Sequence, residues 1–438
     1  MSNWISSLHC PYTGSPFEAK AIDSEHGPAI DFGVVSSEAG QFPVISGILR
    51  LISDELQEPL VDLLKQGQKE AALLMALEVP FNTRRARVVN RLWRVAHGRK
   101  SRVAVRLVGQ GKRHLYRLVT ETDITFAELA ARTGVEAWAN WQTYRFSMPT
   151  FLAVHALSHL AKGSKTVLDF GCGLGQSAFL MKRLASEARV VCADYSFTAL
   201  YLAKRFLVPD APCICLDGDY PLPFGERYFD CVFSTDAMQY IESKLCLAQE
   251  FQRVLSDDGM IVLSHLHNRF SPIKTGKALT PGGYDGLFEG MARHMYPEDS
   301  IVADYVANGS LDLERRWAVD DLCHSLSGLS LVATNRKSVF GTYTELWDAN
   351  IDAMRYPKLN PLYRARRSGG TWALERGIGA PYAIERTIQD CVVLPRTWQA
   401  DIESCDSAGI LTLRDADRAQ LRELVRRFLI LDMPESYT

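Results

Sequence analysis

The sequence predicts an α/β fold: a doubly wound, mostly parallel sheet with a small β-rich module ahead of it and added helical segments. Three observations predict it. From about residue 141, short apolar runs alternate with amphipathic helical stretches, the signature of a helix-covered sheet. The first such run, "TVLDF" (166–170), leads straight into the glycine cluster "GCGLG" (171–175), a strand-to-helix turn. Ahead of it, residues 1–54 read as a separate β-rich module and residues 55–140 as helical and basic. The 438 residues, 47% hydrophobic and 23% charged, suffice for two or three domains with cores of their own.

The elements follow in order. After "TVLDF" comes a helix, "GQSAFLMKRLAS", then a strand at 189–195 and the helix "TALYLAKRFL". Strands are expected at 211–219, 228–235 and 259–267, with the helix "LCLAQEFQRVLSDDG" ended by Gly259. "AVDDLCHSLSGL" and "SLVATNRKSVF" read as helix then strand, and 370–378 as a last strand. Within an α/β domain of 141–380, residues 267–300 read as a lid over an acceptor pocket, with Phe270, Tyr284, Leu287, Phe288, Met291 and Tyr296 lining it. Residues 381–438 form a C-terminal extension ending in an amphipathic helix.

The glycines exclude two ligand classes. The dinucleotide fingerprint is GxGxxG, whereas here the spacing is GxGxG with Gln176 next. A nucleoside-triphosphate loop needs Gly-Lys-Ser/Thr, which is absent. Asp194 ends the second strand, where a carboxylate accepts from two ribose hydroxyls. Asp217 or Asp219, ending the third, can accept from an adenine amino group. Asp169 suits a cationic ligand and would repel a pyrophosphate.

The ordered series "VLDFGCGLG", "ADYS", "GDYPLPF", "YFDCVF" and "RVLSDDGMIVLS", over about 166–265, resembles the Rossmann-like class I S-adenosylmethionine-dependent methyltransferases, in particular the ubiquinone and menaquinone branch. The resemblance implies S-adenosylmethionine as cofactor. It implies that Asp169 and the turn Gly171–Gly175 hold its methionine end, Asp194 its ribose, and Asp219 with Tyr220 its adenine, with Asp217 the competitor. Phe170, Cys172, Gly173, Gly175, Tyr195, Gly218, Thr235 and Gln239 are counted with this set, and Tyr144 or Arg145 can reach the cofactor's carboxylate. Where the family has a histidine after the fourth strand, this chain has Gln239. A catalytic base is therefore sought in His267 first, then His265, with Tyr240 beside them. Many methyl transfers need no strong base, because alignment does most of the work.

Residues 1–54 resemble a zinc-ribbon module through Cys10, Pro11 and "FPVISGI" (42–48), but Thr13 replaces the second cysteine and 36–39 has none. One thiolate cannot close a tetrahedral site, so no metal is expected. The ten cysteines form no CxxC pair and read as free thiols of a reducing cytoplasm. No 18-residue apolar run and no basic-then-apolar leader is seen.

Net charge is −2, yet between Glu78 and Glu121 stand twelve Lys or Arg and no acid, leaving −14 on the remainder. Residues 84–117 can bind RNA, lie on an anionic membrane, dock an acidic carrier protein, or form a solvated face paired with the acidic remainder. The missing ribbon ligands, the negative total and the lack of a stacking-platform motif speak against nucleic acid. The expected activity is methylation, at oxygen, of a small or lipid-like acceptor. The alternatives are an RNA methyltransferase and a cofactor-binding protein with a non-methylating role.

Overall fold

A computed structural model describes residues 4–23, 30–77, 123–133, 144–272, 276–325, 328–368, 371–377, 394–400, 402–405, 411–413 and 418–437, with scattered positions between 110 and 142. The chain divides into two compact units. The first comprises Met1–Ala76, Leu152–Lys204 and Val208–Ala353. The second comprises Leu77–Phe151, Arg205–Leu207 and Met354–Thr438. Most of the basic stretch 84–117 lies outside the described residues.

The first unit is built on one eleven-stranded sheet. Its centre is β5 (Thr166–Phe170), buried along its length after Thr166, as an apolar strand covered on both faces must be. From β5 the chain winds outward to β6 (Arg189–Asp194) and β7 (Cys213–Cys215). It then returns to the other side of β5 for β8 (Phe229–Thr235) and β9 (Leu255–Leu266). All these neighbours pair in parallel. The strand order reverses between β5 and β8, which opens a crevice at their carboxyl ends. Beyond β9, β12 (Leu329–Thr334) runs antiparallel between β9 and β10 (Ala292–Pro297).

At the opposite edge, β1 (Glu18–Asp23), β2 (Phe32–Ser37), β3 (Gly40–Ile45) and β4 (Ile48–Arg50) form an antiparallel meander. β4 pairs in parallel with β7, so these strands extend the main sheet rather than standing apart from it. Helices α1 (Gln57–Lys65) and α2 (Lys69–Ala76) follow. A short ladder joins β11 (Leu311–Asp312) to β13 (Thr342–Tyr343). Among the described residues no helix is long and apolar enough to cross a membrane.

Several elements differ from expectation. The helix α3 (Lys244–Val254) ends five residues before Gly259, which lies inside β9. A Cβ at Gly259 would stand 2.7 Å from the Leu255 side chain, so this glycine serves a close approach and not a helix cap. The stretch expected as a pocket-lining lid supplies the edge strand β10. Tyr284, Leu287, Phe288, Met291 and Tyr296 are core residues, and Phe270 alone of the six is exposed. Residues 371–376 form a strand as expected, but in a separate three-stranded sheet of the second unit with Tyr363–Ser368 and Thr397–Ala400. In that unit the C-terminal helix spans Arg418–Arg426, and the chain then turns into a strand, Ile430–Asp432, paired with Pro357–Leu359.

Candidate active site

The glycine turn joins β5 to the helix α4 (Gln176–Leu184). Gly171, Gly173 and Gly175 all adopt left-handed φ, at 67°, 54° and 79°. A side chain on Gly171 would place Cβ 2.3 Å from that of Ala237, so only glycine lets β8's outgoing loop lie against the turn. Beside Gly173 nothing stands within 4 Å of a Cβ position, which leaves room for a ligand to approach this side of its backbone. Phe170 packs edge-on against Phe251 at 5.2 Å. The buried Cys172 thiol is pushed up to about 12 by burial, so it stays protonated.

Two carboxylates flank the turn in different ways. Asp194 holds it together: Oδ2 accepts from the Gly173 amide and Oδ1 from the Ser196 amide, both at 2.8 Å. A carboxylate offers about four lone-pair sites, so both oxygens keep capacity for further donors. Burial raises its pKa, against the pull of the Ser196, Gly173 and Tyr195 amides. Asp169 is fully buried, and neither of its oxygens makes a well-formed hydrogen bond among the described residues. Burial pushes its pKa up to about 7, opposed in part by the Ala178 amide and reinforced by Asp194. A cation beside such a carboxylate would relieve its desolvation.

Beyond β7, Asp217 Oδ1 accepts from the Asp219 amide at 3.0 Å. Asp219 Oδ1 accepts from the Ser243 amide at 2.6 Å, at the start of α3. Gly218 has no room for a side chain, since a Cβ would lie 2.6 Å from the Phe170 ring. Thr235 is buried at the end of β8, with its hydroxyl 3.4 Å from that of Ser177. Tyr144 and Arg145 lie in the second unit, where the Arg145 guanidinium sits 5.3 Å from the Phe151 ring centre.

The ends of β8 and β9 carry the remaining polar groups. Gln239 is fully buried, and its amide donates to Asp236 Oδ1 at 2.6 Å. His267 Nε2 stands 3.5 Å from the same oxygen. The His265 and His267 rings meet edge to face, 5.4 Å apart. Glu298, the first residue of the helix Glu298–Asn308, accepts from the His265 amide at 2.6 Å and faces its Nδ1 at 2.8 Å. Asp236, His265 and His267 each bring one ligand-type atom within 4.8 Å of the others. Tyr240, which follows Gln239 in the chain, is exposed. The sequence points to both histidines but to neither Asp236 nor Glu298, because no spacing signal connects four residues drawn from separate elements.

The region from β5 to β9 matches the family described as a methyltransferase domain, over residues 168–263. These residues are a class I S-adenosylmethionine-dependent methyltransferase domain. Among curated relatives, a malonyl-[acyl-carrier protein] O-methyltransferase of Marinomonas sp. is 30% identical over 149 residues, 34% of this chain and 53% of that protein. A 2-methyl-6-phytyl-1,4-hydroquinone methyltransferase of Synechocystis sp. is 28% identical over 114 residues, covering 24% of this chain and 33% of the relative. The mitochondrial arginine-hydroxylase NDUFAF5 of Danio rerio is 30% identical over 103 residues, 24% and 31% of the two chains. The chain thus spans about half the length, or less, of these relatives.

Proposed function

We propose that this chain transfers the methyl group of S-adenosylmethionine to an oxygen of a small or lipid-like acceptor. The observation that carries the reading is a set of exposed aromatics. Tyr195, Tyr220, Tyr240 and Phe270, which follow β6, β7, β8 and β9 in the chain, are 62%, 47%, 60% and 59% exposed. Aromatic side chains are the usual lining of sites that take organic ligands, so rings that follow four successive strands of the sheet support an organic acceptor. When bound, S-adenosylmethionine supplies an activated methyl group. In this reading Asp169 faces its positive methionine end, and Asp194 accepts from its ribose while bracing the turn. Asp219 with Tyr220 takes the adenine, with Asp217 as competitor. His267 and His265 face the acceptor. Burial of Asp169 without a strong donor supports the first of these roles, because a cation would relieve its desolvation.

The names of the malonyl-carrier relatives support oxygen as the accepting atom, and the hydroquinone relative supports the quinone branch. A carboxylate acceptor would need no base. Residues 84–117 are the proposed docking stretch for an acidic carrier or a membrane surface. Residues 1–54 are read as a ribbon without zinc. The Cys10 turn, closed by the Gly14 amide on the Cys10 carbonyl at 2.8 Å, supports this, with the Thr13 and Ser15 hydroxyls paired at 2.8 Å. A second reading, cofactor binding with a non-methylating role, is favoured by the relative named as an arginine-hydroxylase.

Incubation with methyl-labelled cofactor, total RNA and an organic extract of the same cells separates the readings. Label is expected in the extract. Label in RNA alone would overturn the acceptor class. Tight binding of S-adenosylhomocysteine with no label in any fraction would favour the second reading.

A further inference from the structure

We propose that Asp236, His265 and His267 hold one divalent first-row transition-metal ion. A general base needs a single histidine, yet here three donor atoms converge within 4.8 Å. The best-defined pair, His267 Nε2 and Asp236 Oδ1, is 3.5 Å apart. Two ligands about 2.1 Å from an ion at a near-tetrahedral angle stand about 3.4 Å apart.

Two of the three ligands are held from behind. Glu298 faces His265 Nδ1 at 2.8 Å, so Nε2 is the ring atom an ion would take. The Gln239 amide donates to the Asp236 carboxylate. Such carboxylate–histidine and amide–carboxylate contacts are the usual outer supports of metal ligands. The backbone adds an independent sign. Thr235 and Ser264 are register partners in β8 and β9, and the residues that follow them, Asp236 and His265, both turn left-handed, with φ of 58° and 53°. Non-glycine residues seldom adopt that conformation, and paired cases at one sheet edge mark a constrained site.

Two imidazoles and one carboxylate suit a borderline transition ion better than magnesium or calcium, which prefer all-oxygen sets. The side chains are 26%, 16% and 14% exposed in chain order, so water or an acceptor can complete the coordination. Ala237, the neighbour of Asp236, lies against Gly171, which sets the ion beside the glycine turn. Resting on the proposed function, the ion would grip the acceptor oxygen there; ion binding itself does not depend on that reading.

The test is titration of chelator-treated, full-length protein with cobalt(II), read by visible d–d absorption, and with zinc(II) by calorimetry. One equivalent is expected. His267→Gln and Asp236→Asn should each weaken binding at least 100-fold, and Glu298→Gln about 10–100-fold. Circular dichroism and S-adenosylhomocysteine affinity on the same samples identify any variant that fails to fold. Absence of a stoichiometric site in wild type, or unchanged affinity in folded His267→Gln, would show a hydrogen-bonded trio and overturn the proposal. Cobalt binding without S-adenosylhomocysteine binding would uphold the ion site and sink the methyl-transfer reading instead.

Discussion

The carboxyl edge of the sheet has two halves that are assembled differently. Beyond β5 and β6, Asp169, Gly171 and Gly173 are near neighbours in sequence, and Asp194 ties in through one hydrogen bond to the Gly173 amide. Beyond β8 and β9, Asp236 meets His265 and His267 across strand register, and Glu298 reaches His265 from 33 residues further on. The first half is mostly local backbone geometry, braced by the Asp194 carboxylate and by Ala237 packed against Gly171. The second exists only because separate elements arrive together. A substitution in the first half should therefore act on the turn and its ligand, while one in the second should act on side-chain convergence and leave the turn standing.

The largest expected effect is at Gly171. Gly171→Ala forces a left-handed alanine and an overlap with Ala237, together costing about 2–5 kcal/mol. Gly173→Ala, with open space around it, should cost only the conformational part, about 1–2 kcal/mol. Chemical denaturation of the two variants side by side checks the ranking. Equal losses would mean that close approach to β8's loop is not what Gly171 provides.

Next in size is Asp194→Ala. It removes a charged acceptor and frees the Gly173 and Ser196 amides, each charged hydrogen bond being worth about 1.5–3 kcal/mol. Calorimetric affinity for S-adenosylhomocysteine should fall tenfold or more. An unchanged affinity would mean that the cofactor does not sit on this half of the edge.

The smallest effect concerns Asp169 and pH. Its folded pKa, about 7, lies above its ordinary value of 3.8, so burial of the charge opposes folding. Any stability from the protonated form is complete below about 4 and is lost as pH rises toward 7. Asp169→Asn should therefore be more stable than the parent at pH 8 and lose that advantage at pH 4, by thermal melting. For binding the sign reverses, since only the ionised carboxylate attracts a cation. Affinity for S-adenosylmethionine should rise several-fold between pH 6 and pH 8 in the parent and stay flat in Asp169→Asn. A flat profile in the parent would place the methionine end elsewhere.

Legibility in the sequence followed the range of the forces involved. β5, β6 and β8 are short buried runs, and the helix after the glycine turn starts where the turn dictates, so composition sufficed for them. β10 was missed because "ARHMYP" has neither alternation nor a continuous apolar run; it is a strand because β12 pairs with it. Gly259 looked like a helix stop, yet its role is set by the Leu255 side chain beside it. The aromatic run of 284–296 reads equally as lid or core, and packing chose core.

By itself the sequence determined the parallel sheet, the ligand class excluded by its glycine spacing, and the acids at the ends of β6 and β7. These depend on residues close in the chain, whose conformation and charge are largely their own. Only the tertiary structure decided that Asp194 braces the turn, that Gln239 supports Asp236, and that two histidines, one aspartate and Glu298 form a single cluster. Apart from Gln239 and Asp236, which are 3 residues apart, those relations reach across separate elements, as from Asp194 to Gly173 over 21 residues and from Glu298 to His265 over 33, and they exist because strand register brings distant side chains to one edge, which no local pattern encodes.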